Sequence, residues 1–446
     1  MIYTMKFRPM KNIISLTAIV LIANACKPNL KTPDVSKGDL DVTNYVALGG
    51  AITAGYADGA LQYGTQNSSF AKLLSEQFSL IDGGEFKTPY ISASSIGIGT
   101  ANNAPSILGY RTDCQGTTSL GPVKVASSGD VTQFASNVYS SQGPFNNMGV
   151  PDVKVTDMDV NGYTNPFYVR MASSGSSSIL SDAVAKAPTF FTLQLGLNDV
   201  LTYALSGATS GSVTPISGAV GVGFDASINN IVNKLTANGA KGAIASIPSI
   251  KSMAYFNTIA YNALKLDAAN AISLTNFYSS LSPAIVFNEG NNGFVIQDTS
   301  QIMDYRQAVE GELVLLNIPL DSVKCLKMGS LITIPDKYFL TLSEIATIEK
   351  AIADYNVILK NIAASKNLAF VDMNAFFANI KSGIVYNGVT INASFVSGGA
   401  YSLDGLNLTP RGNALLANEF IKAINSTYKS TLPQLVATKY PGVVFP

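Results

Sequence analysis

Four short segments rich in Gly, Asn and Asp carry the side chains whose chemistry could define a site. These segments are residues 49–51, 147–152, 196–199 and 404–407. Carboxylates accept hydrogen bonds and protons, and side-chain amides both donate and accept hydrogen bonds. All four segments fall at predicted strand ends, where open α/β sheets place their binding sites, so we expect them to share one cleft.

The chain lacks the group that proteins use most often for proton transfer. Histidine is absent from all 446 residues. Imidazole is the usual general base near neutral pH and the commonest metal ligand in proteins. Because the sequence has no close cluster of cysteines either, it argues against a zinc site, and we expect no metal or other cofactor.

The first of these segments belongs to a longer motif, Tyr45–Asp58, which reads YVALGGAITAGYAD. This motif resembles the first block of the SGNH, or GDSL, hydrolase family, in which Gly-Asp-Ser-Leu follows the first strand. The other three segments resemble the second, third and last blocks and occur in the family's order. The resemblance implies a flavodoxin-like three-layer α/β sandwich with a central parallel sheet. Because the blocks extend from residue 49 to residue 407, it also implies one large domain.

The resemblance implies a catalytic triad, and two of its three members are replaced here. In the family, a serine attacks the ester carbonyl, a histidine takes its proton, and an aspartate shortly before that histidine orients it. The serine position holds Ala51, whose methyl group cannot attack a carbonyl. The histidine position holds Asn407, whose amide is not basic, while Asp404 keeps the orienting position.

The oxyanion hole that the resemblance implies is altered as well. In the family, a glycine backbone, an asparagine side chain and the nucleophile's own amide form this hole. Asn198 keeps the side-chain donor, but Asp152 takes the glycine position and Gly50 replaces the usual aspartate before the nucleophile. A carboxylate beside a developing oxyanion raises its energy. Since loss of a triad serine or histidine costs on the order of a millionfold in rate, we expect at most trace ester hydrolysis.

These substitutions lead to three functional hypotheses. The first is a catalytically inactive SGNH-like protein that binds a neutral ligand, such as a saccharide or an acyl ester, in the former active site. Its ligand-binding residues would be Ala51, Asp152, Asn198, Asp404 and Asn407. The second is a weak ester hydrolase in which Asp152 or Asp404 activates a water molecule. The third is an envelope scaffold whose cleft is filled by side chains and whose insertions bind a partner.

Some of the same residues also have purely structural explanations. Asn198 and Asp404 are residue types that cap helices and pin turns, so either role is open for them. Thr53 offers a hydroxyl close to Ala51 in sequence. Because no histidine or matching lysine lies nearby in the sequence, we interpret Thr53 as a helix-start residue and not as a substitute nucleophile.

Short β-rich runs alternate with helical stretches, a pattern typical of a parallel sheet flanked by helices. The predicted strands are residues 45–48, 147–150, 190–195, 243–247 and 368–371. The predicted helices are residues 69–78, a helix through Ile228–Leu235 that stops at Asn238-Gly239, a helix opened by the capping box Thr341–Glu344, and a helix that begins at Thr409-Pro410.

The chain is predicted to hold one α/β domain with flanking segments and insertions. The segments are a signal peptide (1–25), a tether (26–43), the domain (44–430) and a C-terminal tail (431–446). Polar or irregular stretches at about 85–143, 206–224, 252–340 and 382–402 are interpreted as insertions in that domain, the second-longest being 85–143 and the longest 252–340.

The N-terminus has the layout of a bacterial secretory signal, with basic residues before the apolar run Ile13–Ala23. Cleavage after Ala25 and lipidation of Cys26 are both compatible with this layout. We favour lipidation, because a cysteine followed by a polar, Pro-containing segment has no folding role, whereas a lipid anchor needs the thiol. We therefore predict an exported lipoprotein of the cell envelope, at the outer membrane, that contacts the membrane only through its anchor.

The charge balance argues against a nucleic acid partner. Lys plus Arg and Asp plus Glu number 29 each, so no basic surface for nucleic acid is indicated. Charged residues make up only 13% of the chain, well below the usual quarter or so. A polar but uncharged surface suits a neutral small molecule or a glycan. Since Trp is absent, a Trp-lined sugar platform is excluded.

Two further cysteines, Cys114 and Cys325, remain after Cys26. In an exported chain such thiols can pair, and a bridge between them would remove much conformational entropy from the unfolded state. Two buried free thiols are the alternative, and the sequence does not distinguish the two states.

Overall fold

A computed structural model describes residues 34–282 and 284–446. Residues Ser36–Pro446 form one compact unit. The predicted signal peptide and the predicted lipidation site, Cys26, lie outside the described residues. No helix in the described part of the chain is both long and apolar enough to cross a membrane.

Five parallel strands form the central sheet. They are β1 (Tyr45–Gly49), β2 (Asn147–Gly149), β3 (Phe190–Gln194), β4 (Lys241–Ala245) and β5 (Ala369–Val371). All five are strands that the sequence predicts, and each bound differs by at most two residues, as is usual for strand ends. The strand order is β5-β4-β3-β1-β2. In doubly wound sheets of this order, ligands bind where the order reverses, between β1 and β3.

The central sheet is covered on both faces. Every residue of β1 and of β3 is buried. Because successive side chains of a strand point to opposite faces, both faces must pack against other elements. This explains why β1 and β3 are mostly apolar and do not alternate strictly between apolar and polar residues, although Thr192 and Gln194 of β3 are buried polar residues. In the register, Ala47 lies between Asn147 and Thr192.

Six helices position the site or pack on the sheet. They are α1 (Ala51–Ala54), α2 (Phe70–Phe78), α3 (Asn198–Leu205), α4 (Phe224–Thr236), α5 (Leu342–Ser365) and α6 (Pro410–Tyr428). The rings of Phe70 in α2 and Phe420 in α6 stack 4.6 Å apart, and Phe224 in α4 stacks on Tyr355 in α5 at 3.9 Å. The predicted α/β class with a central parallel sheet is therefore confirmed.

Local sequence signals set the N-terminal ends of α5 and α6, the two longest helices in the described residues. At the start of α5, the Glu344 carboxylate accepts a hydrogen bond from the Thr341 amide at 2.7 Å, and the Thr341 hydroxyl accepts one from the Glu344 amide at 3.4 Å. At the start of α6, the Thr409 hydroxyl accepts a hydrogen bond from the Gly412 amide at 3.1 Å. Both predicted caps are confirmed, since each satisfies backbone donors that have no partner within the helix.

Further helices and antiparallel strand pairs lie outside the central sheet, some within the predicted insertions and some between them. In the described residues the further helices are Tyr63–Gln66, Tyr139–Gln142, Pro166–Val169, Ile179–Ala185, Ala254–Asn257, Ala268–Ser279, Leu320–Cys325 and Met373–Ser382. The strand pairs are Tyr56–Ala57 with Ala60–Leu61, Ser106–Thr112 with Thr118–Lys124, Leu264–Leu266 with Gly290–Asn292, Val295–Gln297 with Tyr305–Gln307, Leu313–Val314 with Phe339–Leu340, and Ile384–Tyr386 with Val389–Ile391.

Parts of the predicted tether and tail pack on the domain. Leu40 and Val42, in the predicted tether, are buried, and the Asp39 amide donates to the Tyr428 carbonyl at the end of α6. In the predicted tail, Leu432 is buried as well. The packed region therefore begins near Ser36, earlier than the sequence indicates, because apolar side chains at these positions find a surface that only the folded helices create.

Cys114 and Cys325 form a disulfide, with their Cα atoms 6.4 Å apart. This decides between the two states that the sequence leaves open. The bond joins the turn of the hairpin Ser106–Lys124 to the helix Leu320–Cys325, so it links the two largest insertions to each other.

Candidate functional site

One cleft brings together all the site residues that the sequence predicts. It has a volume of about 1060 Å³ and lies at the carboxyl ends of β1 and β3. Its lining includes Gly50, Ala51, Asp152, Asn198, Asp404 and Asn407. These residues are far apart in sequence and come from four different loops. Three of the loops follow β1, β2 and β3, and the strand order places them at one edge of the sheet. The fourth, residues 404–407, lies just before α6.

The first loop presents a methyl group to the cleft where an attacking group would be needed for hydrolysis. Ala51 is the first residue of α1, directly after β1, and it is partly exposed. The Gly50 amide donates to the Gln194 carbonyl at 3.3 Å, which ties this loop to the end of β3. A Cβ atom on Gly50 would lie 3.5 Å from Nδ2 of Asn198, so the turn at Gly50 faces Asn198.

Asp404 and Asn407 are joined by a side-chain hydrogen bond. Nδ2 of Asn407 donates to Oδ2 of Asp404 at 3.0 Å. The other bonds to the carboxylate come from the amides of Gly59, at 3.2 Å, and of Leu406 and Asn407, at 2.9 and 2.8 Å. A carboxylate has about four lone-pair sites. The protein therefore fills those of Asp404, which pins the 404–407 turn and leaves little room for this carboxylate to bind a water molecule.

Asn198 does not cap a helix with its side chain. It is the first residue of α3, and its Nδ2 donates to the carbonyl of Val153 at 3.1 Å. This bond ties β3's loop to the loop that follows β2. Since an amide nitrogen has two donors, one N–H remains for a ligand in the cleft. The sequence suggested that Asn198 and Asp404 could cap helices or stabilise turns. Asp404 stabilises a turn, whereas the side chain of Asn198 does not cap a helix.

Asp152 has a backbone conformation that favours glycine. Its φ angle is 63°, in the left-handed region, where asparagine and aspartate are the non-glycine residues best tolerated. Its side chain is exposed toward the cleft, yet the surrounding protein desolvates the carboxyl group and raises its pKa. This position thus keeps a glycine-like turn while presenting a carboxyl group to any ligand.

Tyr56, Asp58 and Lys124 also line the cleft, and the sequence analysis missed them. Burial raises the pKa of Tyr56 to about 12, and the carboxylates of Asp404 and Asp152 add to this rise. Lys124 donates to the carbonyl of Ala104 at 2.7 Å, and burial lowers its pKa while nearby Asp404 opposes this shift. These three residues therefore add an aromatic ring, an amine and a carboxyl group to the lining of the cleft.

Asp58 links two loops of the cleft. Its carboxylate accepts a hydrogen bond from the Leu403 amide at 2.9 Å, and its own amide donates to Oγ of Ser402 at 3.0 Å. Burial raises its pKa to about 6, and Asp404 contributes to the rise. In the sequence, only its place in the first motif indicated that Asp58 could belong to the site. Its contact with Leu403 spans 345 positions, and such a contact leaves no local sequence pattern.

Thr53 is excluded as a nucleophile for a ligand in the cleft. Its side chain is fully buried, and its hydroxyl donates to Oε1 of Gln194 at 3.2 Å. It lies within α1 and does not line the cleft. The hydroxyl thus anchors α1 to β3, in agreement with a structural role.

Asp199 does not line the cleft, but its buried side chain holds one of the loops that do. Its Oδ2 accepts a hydrogen bond from the Val155 amide at 2.9 Å, whereas its Oδ1 has no hydrogen-bond partner in the described part of the chain. Burial raises its pKa to about 6. The side chain fixes the same loop that Asn198 contacts through Val153.

We expect Asp199 to make stability depend on pH. In the unfolded chain Asp199 loses its proton near pH 3.8, whereas in the folded protein it keeps it until about pH 6. The folded state binds more protons between these values, so the free energy of unfolding falls as the pH rises through this window. Asp199→Asn should therefore gain about 2 kcal/mol relative to the wild type between about pH 4 and about pH 7.

Urea unfolding at several pH values measures this difference. Val200→Ala is the matched control in the same helix, because truncating a buried apolar side chain lowers stability by the same amount at every pH. A difference between Asp199→Asn and the wild type that stays constant across the window would contradict the role given to Asp199.

The insertions complete the wall of the cleft. Arg111, Pro122 and Lys124 come from the hairpin Ser106–Lys124, and four residues of the segment 316–320, all except Pro319, come from the longest insertion. These residues belong to the stretches that the sequence indicates as polar or irregular, so their part in the site had no sequence signal.

The sequence matches no protein-family model, and no curated protein is significantly similar to it.

Proposed function

We propose that this protein is a catalytically inactive SGNH-like binding protein whose former active-site cleft holds a neutral small molecule, such as a saccharide or an acyl ester. The family assignment rests on the four sequence blocks. The observation that carries the proposal is the cleft of about 1060 Å³ that all the block residues line. The predicted export and lipidation at Cys26 remain part of the proposal and place the protein in the cell envelope.

The chemistry of the lining supports binding without turnover. Ala51 has no attacking group, and Asn407 donates one N–H of its side-chain amide to Asp404. The polar groups of the lining include the carboxyls of Asp58 and Asp152 and the second N–H of Asn198. Sugar hydroxyls both donate and accept hydrogen bonds, so a lining of this kind complements a polyhydroxylated molecule.

The two rival hypotheses have less support. A scaffold with a filled cleft is disfavoured by the open volume next to Ala51. A hydrolase that uses Asp404 as its base is disfavoured by the hydrogen bonds that fill this carboxylate. Asp152 is the better candidate base. If it acts so, Asp152→Asn should abolish any turnover.

Calorimetric titration with neutral tetrasaccharides, each with and without acetyl groups, tests the proposal. We expect saturable binding of at least one of them. Gly50→Phe should weaken it at least about tenfold, since a side chain there projects beside Asn198 and occupies ligand space. The backbone accepts a side chain at Gly50, because φ is −90° and the nearest atom to a Cβ is 3.5 Å away.

Gly64→Phe is the matched control. A Cβ atom on this exposed residue meets nothing within 4 Å, and Gly64 does not line the cleft, so its affinity should equal that of the wild type. Binding that survives Gly50→Phe unchanged, or no saturable binding of any tetrasaccharide or of its acetylated form, would reject the proposal.

A further inference from the structure

The two largest insertions meet at the cleft and are tied to each other. The hairpin Ser106–Lys124 and the segment Leu316–Leu320 both contribute lining residues. Immediately beyond these lining residues, the disulfide Cys114–Cys325 joins the hairpin turn to the helix Leu320–Cys325. We call the hairpin and this segment the insertion wall.

Two ion pairs flank the disulfide. Nη2 of Arg111 lies 3.1 Å from Oδ2 of Asp321, and Nζ of Lys324 lies 2.7 Å from Oδ2 of Asp113. Three of these four side chains are about half exposed, and exposed ion pairs contribute little to stability because water and salt screen them. The covalent bond is therefore the main tie between the two halves of the wall.

The hairpin has few other attachments that resist its movement. Only Leu108 among its strand residues is buried. At its base, the Ser106 amide donates to the Asp58 carbonyl at 2.8 Å, and Lys124 donates to the Ala104 carbonyl. Segments with few buried apolar contacts open locally at low free-energy cost. Without the disulfide, the hairpin turn is held to the helix Leu320–Cys325 by these two ion pairs and by a hydrogen bond from Nε2 of Gln115 to the Lys324 carbonyl at 3.5 Å.

We infer that the Cys114–Cys325 disulfide is a strap that holds the insertion wall in place and so limits the size of the molecule that reaches the cleft floor at Ala51. Cys114 is exposed, so a small dithiol can reach the bond. Exchange would convert the disulfide to two cysteine thiols while the dithiol is oxidised to its own disulfide. The inference adds a size limit to the proposed binding function, but the strap can be tested without any ligand.

The experiment measures access to the cleft floor with thiol reagents of two sizes. The full chain carries Cys26→Ser and Ala51→Cys, so the only free thiol lies on the floor. Iodoacetamide is the small reagent and fluorescein maleimide the bulky one. Removing the strap with Cys114→Ser and Cys325→Ser should raise the rate with the bulky reagent at least about tenfold and change the iodoacetamide rate much less.

Ser279→Cys in place of Ala51→Cys is the matched control. It lies at the exposed end of the helix Ala268–Ser279 and does not line the cleft, so both reagents should modify it at rates that do not depend on the strap. An equal ratio of bulky to small rates at Ala51→Cys with and without the strap would overturn the inference. Because no ligand is involved, that result would leave the proposed binding function standing.

Hydrogen exchange on the wild-type chain provides a second measurement in case the strapless variant folds poorly. After reduction of the disulfide, amide exchange over residues 106–124 should accelerate at least about tenfold while β3 stays protected. Unchanged exchange over 106–124, with the disulfide shown to be reduced and β3 protected, would also overturn the inference.

Discussion

Ester hydrolysis is expected to be absent from the natural sequence and to appear in the variant Ala51→Ser/Asp152→Gly/Asn407→His. The substitutions supply an attacking hydroxyl at the first residue of α1, a base, and an oxyanion site without a negative charge. Nδ2 of Asn407 already donates to Asp404 at 3.0 Å, so a histidine there meets a carboxylate that can orient it. The left-handed backbone at Asp152 suits glycine.

The expected gain is at least about a hundredfold in the rate of p-nitrophenyl acetate hydrolysis over the unmodified chain. General acid–base catalysis alone contributes about 10²–10⁴-fold, and an unoptimised site recovers only part of what a natural triad supplies. Initial rates at about pH 8, where an imidazole is neutral, provide the measurement.

The double variant Asp152→Gly/Asn407→His is the control for this experiment. It has the base but no attacking hydroxyl, so its rate should equal that of the unmodified chain. Two results would count against the assignment: a triple variant no faster than this control, or a natural chain that cleaves the ester thousands of times faster than buffer. The second would show that Asp152 or another group performs the chemistry.

Removing the disulfide by Cys114→Ala/Cys325→Ala should lower the free energy of unfolding by about 3–5 kcal/mol. The bond closes a loop across 211 positions, and cross-linking residues this far apart removes much conformational entropy from the unfolded chain.

Urea unfolding of the wild type and the double variant, each with and without a reductant, measures this effect. The reductant should destabilise the wild type to the level of the double variant and leave the variant unchanged. A loss below about 1 kcal/mol would mean that the unfolded chain already holds these segments close together. That outcome would limit the stabilising role of the bond without deciding whether it restrains the cleft.

The sequence was sufficient to predict the strands of the central sheet, but it did not predict the residues that form the wall of the cleft. Every residue of β1 and β3 is buried, and their mostly apolar sequences are visible in one short window. The hairpin Ser106–Lys124 buries only Leu108 among its strand residues, so it leaves no comparable pattern. The burial of Leu40 and Val42 was missed for a different reason, since the adjacent Asp39 amide is held by the Tyr428 carbonyl, hundreds of positions away in sequence.

Residue types alone determined that the chain has no imidazole and that Ala51 has no attacking group, and local signals such as Thr341–Glu344 determined where helices begin. The first conclusion depends only on the residue type at each position, and the second depends only on neighbours within one helical turn. Only the tertiary structure decided that Asp58 contacts Leu403, that Cys114 pairs with Cys325, and that an open cleft remains beside Ala51. These features depend on contacts between segments hundreds of residues apart, and such contacts form only when the sheet and its helices pack.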